Sequence, residues 1–183
     1  MLKTTTYLFV FIIYSVIQCQ NFDFGKMSFG LSAQYSIPSN DLKEYWDNYF
    51  CGGLVANYNL SDEISLETSF LFSINNSIDE KKYPNIYLIE IPAGVKYNFL
   101  IRDNFKLFIE SGLQSSTFAF RGESAESVKE NDNESEMGIF AVAGIHFKIN
   151  ENIKCELFGK ILNIFSKPEE IQIISLGINI FLL

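Results

Sequence analysis

Three residue types in this chain could build a reactive or metal-binding centre. They are the sole histidine, His146, the cysteines Cys19, Cys51 and Cys155, and an acidic run at Glu123, Glu126, Glu130, Asp132, Glu134 and Glu136. A nucleophile needs a base beside it, and a structural zinc needs clustered Cys and His. The sequence has no CxxC pair, no Cys/His cluster, no Gly-rich phosphate loop, no HExxH and no GxSxG. The acidic run, set against Arg121 and Lys129, lacks the spaced ligands and central glycine of an EF-hand. It reads as a solvated loop, with calcium binding as the lesser alternative. A formal net charge of -8 disfavours nucleic acid as a partner, because phosphate contact needs clustered Lys and Arg. The expectation is a chain without enzymatic activity, cofactor or metal.

A second group of charges is more informative. Glu67, Glu90, Lys96, Glu110, Glu136, Lys148, Lys154, Glu156 and Lys160 lie within otherwise apolar segments, in step with Ser, Gly and Gln. What positions them is a period of two. Phe29, Leu31, Ala33, Tyr35 and Ile37 alternate with Ser28, Gly30, Ser32, Gln34 and Ser36. Alternate side chains of a strand point to opposite faces, so one face is apolar and the other small and polar.

The pattern recurs over 50–60, 64–74, 86–99, 105–120, 137–149, 153–165 and 171–182, which predicts eight strands. Each is about 10 residues or longer, the length a tilted strand needs to cross a bilayer. Three connections are tight, at 61–63, 100–104 and 150–152, and three are long, at 39–49, 75–85 and 121–136; the last, 166–170, is short. Short turns at one end and long loops at the other predict an all-β, eight-stranded, antiparallel up-and-down transmembrane barrel, with both termini at the turn end. Before it, residues 1–19 read as a secretory signal peptide: Lys3, an apolar stretch from Tyr7 to Ile17, and cleavage after Cys19. Lipidation of Cys19 is the alternative, although Val16-Ile17-Gln18 is a poor match to a lipidation site. The barrel domain is then 20–183.

A barrel in lipid turns its apolar face outward. The charges must then face the lumen or the rims, since Arg or Lys at mid-bilayer costs about 2–4 kcal/mol. An eight-stranded lumen is only wide enough for side chains to fill it. An interior network is therefore expected, pairing Glu90, Glu110 and Glu156 with Lys96, Lys148, Lys154 and Lys160 and plugging the cylinder. The alternative is a soluble barrel with solvated charges that binds an apolar ligand within. Phe158, Leu162, Ile164, Ile173 and Phe181 also fall on the inner face, where they would fill part of the lumen. Outward aromatics near the tight turns, Tyr58, Tyr97, Phe99, Phe105 and Phe147, would form the belt at the membrane–water boundary. Trp46, between Tyr45 and Tyr49, would anchor in the outer headgroups. His146 should point inward at the turn end, away from where a lipid-modifying site would sit. Cys51 and Cys155 fall at opposite ends, so no disulfide is expected between them.

The stretch Tyr87-Leu-Ile-Glu-Ile-Pro-Ala-Gly-Val-Lys-Tyr-Asn-Phe99, followed by Phe108-Ile-Glu-Ser-Gly-Leu113, resembles the outer-membrane β-barrel proteins common in Bacteroidetes, the porin-like family that includes PorT. The resemblance covers most of the chain beyond the signal. It implies a barrel fold and an outer-membrane location. The leading expectation is a non-enzymatic barrel serving membrane structure or surface-loop interactions, and the resemblance also admits a role as an accessory barrel of a secretion system. Outer-membrane lipid is the expected partner, with a surface or secretion-system protein reached through the long loops. Family members typically end on an aromatic residue, whereas this chain ends Ile-Phe-Leu-Leu183.

Overall fold

Side chains that alternate apolar and polar over 11–18 residues leave the backbone one way to bury both its faces and its hydrogen bonds in lipid. That way is a sheet closed on itself. The computed structural model describes residues 23–39, 43, 45–78, 85–102, 105–121, 133–165 and 171–182. The proposed signal peptide and Cys19 lie outside these residues, as do Glu123, Glu126, Glu130 and Asp132 of the acidic run. A short 3-10 turn, Phe24–Lys26, leads into the first strand, and the Asp23 side chain caps it by accepting from the Gly25 N–H.

Eight strands follow: β1 Met27–Ser39, β2 Tyr49–Asn59, β3 Ile64–Asn75, β4 Asn85–Arg102, β5 Phe105–Arg121, β6 Asn133–Asn150, β7 Ile153–Ile164 and β8 Ile171–Leu182. Each pairs antiparallel with its neighbour in sequence, and β8 pairs back onto β1 to close the cylinder. The closing register sets Phe29 opposite Leu182 and Ser39 opposite Gln172. The fold is the expected antiparallel eight-stranded barrel. The chief difference lies in β6, which begins at Asn133 rather than Met137. Asn133, Glu134 and Ser135 are all exposed, so no alternation marks them; the ladder with β5, Ala119 opposite Asn133, holds them as strand.

No helix is long and apolar enough to cross a membrane among the described residues. The outer wall of the barrel is apolar instead: Leu31, Leu54, Phe70, Leu113 and Leu176 are all exposed. Outward aromatics collect at two levels. At the turn end, Tyr97 and Phe99 contact edge-on, with ring centroids 4.7 Å apart. At the loop end, Tyr35 lies against Phe50 at 4.8 Å and Phe72 stacks with Tyr87 at 6.1 Å. Tyr87 and Tyr97 are about ten residues apart along β4. At about 3.3 Å per residue and a tilt near 40°, that separates the two levels by about 25 Å along the barrel axis, the height of a membrane barrel's apolar band.

The lumen has two zones. Toward the loops it is packed with Tyr49, Leu71, Leu88, Phe118, Leu162 and Ile173, against which Trp46 and Phe120 rest. Toward the turns it is filled with charges and amides.

Candidate functional site

The charged zone is built by inward positions on strands from opposite walls. Lys96, on β4, is fully buried; its ammonium pairs with Glu67 of β3 and with Glu156 of β7, the latter at 2.8 Å. Lys154 holds the other oxygen of Glu156 at 3.0 Å. Asn179 of β8 donates to both Glu67 and Glu156, at 3.3 Å each, and Asn57 of β2 donates to Glu67 at 3.2 Å. Aromatic faces complete the surroundings: Lys96 lies 4.4 Å from the Phe108 ring centroid and Lys154 4.2 Å from that of Phe181. Phe181, near the end of the chain, therefore points into the lumen rather than to lipid.

Higher in the barrel, Lys160 of β7 donates to Gln114 of β5 at 2.5 Å and lies 3.8 Å from Glu90 of β4. The Tyr49 hydroxyl donates to Glu90 at 3.5 Å. Burying an ion costs several kcal/mol unless partners satisfy it, and each lysine here has a carboxylate within 4 Å. Chemically the arrangement is a set of struts that ties strands together across the lumen.

Of the residues expected in this network, Glu90, Lys96, Lys154, Glu156 and Lys160 are brought together. Glu110 is buried beside them on β5, opposite Lys96 in the ladder, with no carboxylate–ammonium distance under 4 Å among the described residues. Lys148 is a correction. It shares the inward phase but sits exposed at the turn mouth, opposite Lys154. Glu156 is already held by Lys96 and Lys154, so it is not available to Lys148. Glu67 is the residue that pairing by strand phase omitted. It had been placed on the polar face, but only the register Glu67 opposite Gly94, beside Lys96, reveals its partner.

Tyr58, Tyr97, Phe99, Phe105 and Phe147 all point outward at the turn end. The Tyr97 hydroxyl donates to Glu63 in the turn below at 3.3 Å, which fixes one polar tip at that level. His146 is buried on the inner wall, between Lys106 and Glu156 in the ladder, and its Nδ1 has no hydrogen-bond partner among the described residues. Trp46 is held by a strand-like bridge to Ser77 and packs 6.4 Å from Phe120, so it covers the lumen's loop end rather than reaching outward to headgroups. The reason is the apolar packing beneath it, which offers the indole a dry seat. Cys51 and Cys155 are both buried and free. No group of three or more His, Cys, Asp or Glu is placed to hold a metal ion among the described residues.

Comparison with solved structures finds the same architecture. Neisserial surface protein A matches with a TM-score of 0.69 and 12% identity, covering 86% of this chain and 96% of that one. Ail, the attachment invasion locus protein of Yersinia pestis, matches with a TM-score of 0.59 and 14% identity over 85% and 96% of the two chains. OprG of Pseudomonas aeruginosa matches at 0.53 and 13% over 85% and 91%. Identities this low speak for the fold alone. Comparison with curated proteins gives no match. Residues 9–178 match the family described as the outer membrane protein beta-barrel domain. With a closed barrel whose apolar wall faces outward, the chain belongs to that family, and its place is the outer membrane.

Proposed function

We propose that this protein is a non-enzymatic integral barrel with a plugged lumen, which stabilises the outer membrane and presents its long loops to a surface partner. The observation that carries the reading is the Lys96–Glu156 pair, which joins β4 to β7 inside the lumen at 2.8 Å. With Glu67, Lys154 and Asn179 around it, the pair fills the turn-end half, and apolar side chains fill the loop-end half. A barrel closed in this way transmits no solute, so its contribution lies in its wall and its loops. Residues 1–19 serve as the export signal. The Tyr87–Phe99 motif favours a place among the Bacteroidetes barrels of the PorT type.

The name of Ail records attachment for that protein. Loop presentation of the same general kind is proposed here, with a chemical restriction. The third long loop carries Glu123, Glu126, Glu130 and Asp132 against Lys129 alone over 123–132. That composition favours a basic partner over a polyanion. The test of the plugged reading is planar-bilayer recording of the purified barrel. Absence of stable conductance steps is the expected result, and ohmic steps of porin size would overturn it. Binding of the intact barrel to a lysine-rich and a sulfated surface, compared side by side, tests the loop preference.

A further inference from the structure

The charges left over by the buried struts lie at the turn-end mouth of the lumen. Lys106 of β5 stands directly opposite His146 of β6, and Lys148 of β6 directly opposite Lys154 of β7. All four are inward positions on three adjoining strands. Opposite residues of a ladder have Cβ atoms about 5 Å apart, and residues two apart on one face of a strand are about 7 Å apart. The register therefore gathers three ammonium groups and an imidazole into one block of the inner wall. In a chain of net charge -8 this is a local reversal of sign.

The block has no matching negative charge. The carboxylate that borders it, Glu156, is opposite His146 and already held by Lys96 at 2.8 Å and Lys154 at 3.0 Å. Glu67 pairs with Lys96. Asp62, Glu63 and Glu151 are exposed in the turns, and among the described residues no carboxylate lies within 4 Å of the Lys106 or Lys148 ammonium. Lys106 reaches instead to a neutral acceptor, the Asp62 backbone carbonyl, at 3.3 Å. Like charges directly opposite each other in a ladder repel. His146 supplies a second, independent signal. It is 7% exposed, and its Nδ1 has no hydrogen-bond partner among the described residues. A buried polar nitrogen left without a partner is costly. Lys148 is exposed, so the block is open to solvent at the mouth.

A lysine ammonium is a point charge with three donors, and it binds phosphate in that capacity. Two ammonium groups without a carboxylate suit an anion that carries two charges and several acceptor oxygens. Short turns face the periplasm in outer-membrane barrels, so the ligand enters from that side.

We propose that the turn-end mouth of the lumen binds a phosphate group, held between Lys106 and Lys148 with the His146 imidazole facing it. The site lies below the buried struts and stands whether or not the lumen conducts.

The experiment is a phosphorus NMR titration of inorganic phosphate into the full barrel. The detergent is a maltoside, whose headgroup carries no phosphate, and sodium chloride holds the ionic strength constant. Saturable broadening and shift of the phosphate signal are expected. K148M and K106M should each need about tenfold more phosphate for half-saturation, the loss of one charge-assisted hydrogen bond. K43M removes an exposed lysine from the first long loop and should leave the titration unchanged. Lys148 is exposed, so K148M carries the test should K106M fail to fold. Short-chain phosphatidylglycerol, added to the phosphate-loaded barrel, separates the sources of the ligand. Competition assigns the site to a lipid headgroup curled round the rim, and its absence to a phosphate in solution. A titration that does not saturate would overturn the proposal. So would one that K148M leaves unchanged, or one that K43M weakens as much as K148M does.

Discussion

Lys96 on β4 and Glu156 on β7 belong to strands that share no ladder, yet their side chains meet in the lumen with nitrogen and oxygen 2.8 Å apart. The pair is a tie between walls, and Lys96→Met would cut it. The variant leaves Glu67 and Glu156 buried, with only Lys154 nearby. Breaking a buried ion pair on one side costs about 3–5 kcal/mol. Urea unfolding in detergent should show a loss of that order. The double variant K96M/E67Q, which removes the stranded charge and leaves Glu156 paired with Lys154, should recover most of it. A loss below about 1 kcal/mol for Lys96→Met would mean that the strut contributes little.

The orientation of the wall predicts a depth profile. Leu54 is exposed near the middle of β2, and Leu60 is exposed at its turn end. Arg on the lipid face costs about 2–4 kcal/mol at the midplane and about 0–1 kcal/mol near the boundary. Leu54→Arg should therefore lower folding stability in lipid vesicles by that larger amount, and Leu60→Arg by the smaller. Equal effects at the two positions would contradict the membrane placement of the outer wall.

Gly94 and Gly112 face each other across β4 and β5. A Cβ on Gly112 would collide with the Ala93 carbonyl oxygen and the Gly94 Cα, which are backbone atoms and cannot swing aside. Gly112→Val should cost about 1–3 kcal/mol or more. The folded, fast-migrating form on unheated gels should diminish accordingly. A variant that keeps full heat-modifiable mobility would show that the two strands can separate without harm.

The two thiols offer a simple check on topology. Cys51 lies in the apolar loop-end zone and Cys155 near the turn end, both buried. Neither should react with a maleimide until the barrel unfolds, and non-reduced protein should have the mass of two free thiols in a chain starting at Gln20. A bridge between Cys51 and Cys155 would be incompatible with this register. A longer or lipid-bearing N-terminus would reject cleavage after Cys19.

The strands were legible because lipid on one side and packed polar groups on the other impose a period of two. Where both sides meet solvent the period fades, as at Asn133–Ser135, and only the ladder defines the strand. The lumen was legible by phase but not by height. Phase put Lys148 and Lys160 on the same face. The structure leaves the first exposed and buries the second against Gln114 and Glu90. Phase likewise placed Glu67 inward, but its partner lies on another strand, and pairing across a ladder depends on register that local sequence does not carry. Trp46 was misread for a related reason. Its seat is formed by Phe120 and the apolar lumen, residues far away in the chain.

The seam between β1 and β8 has a consequence for biosynthesis. Phe29 finds Leu182, and Ser39 finds Gln172, only after all eight strands have been made. Contacts so distant in sequence form late. Until they form, the rolled sheet has two raw edges, with β1 and β8 offering unpaired backbone groups to any neighbouring strand. A chain truncated before Ile171 would thus be no shortened barrel but an adhesive ribbon, prone to aggregate on its way to the membrane. The last twelve-residue strand acts as the clasp that makes the product safe.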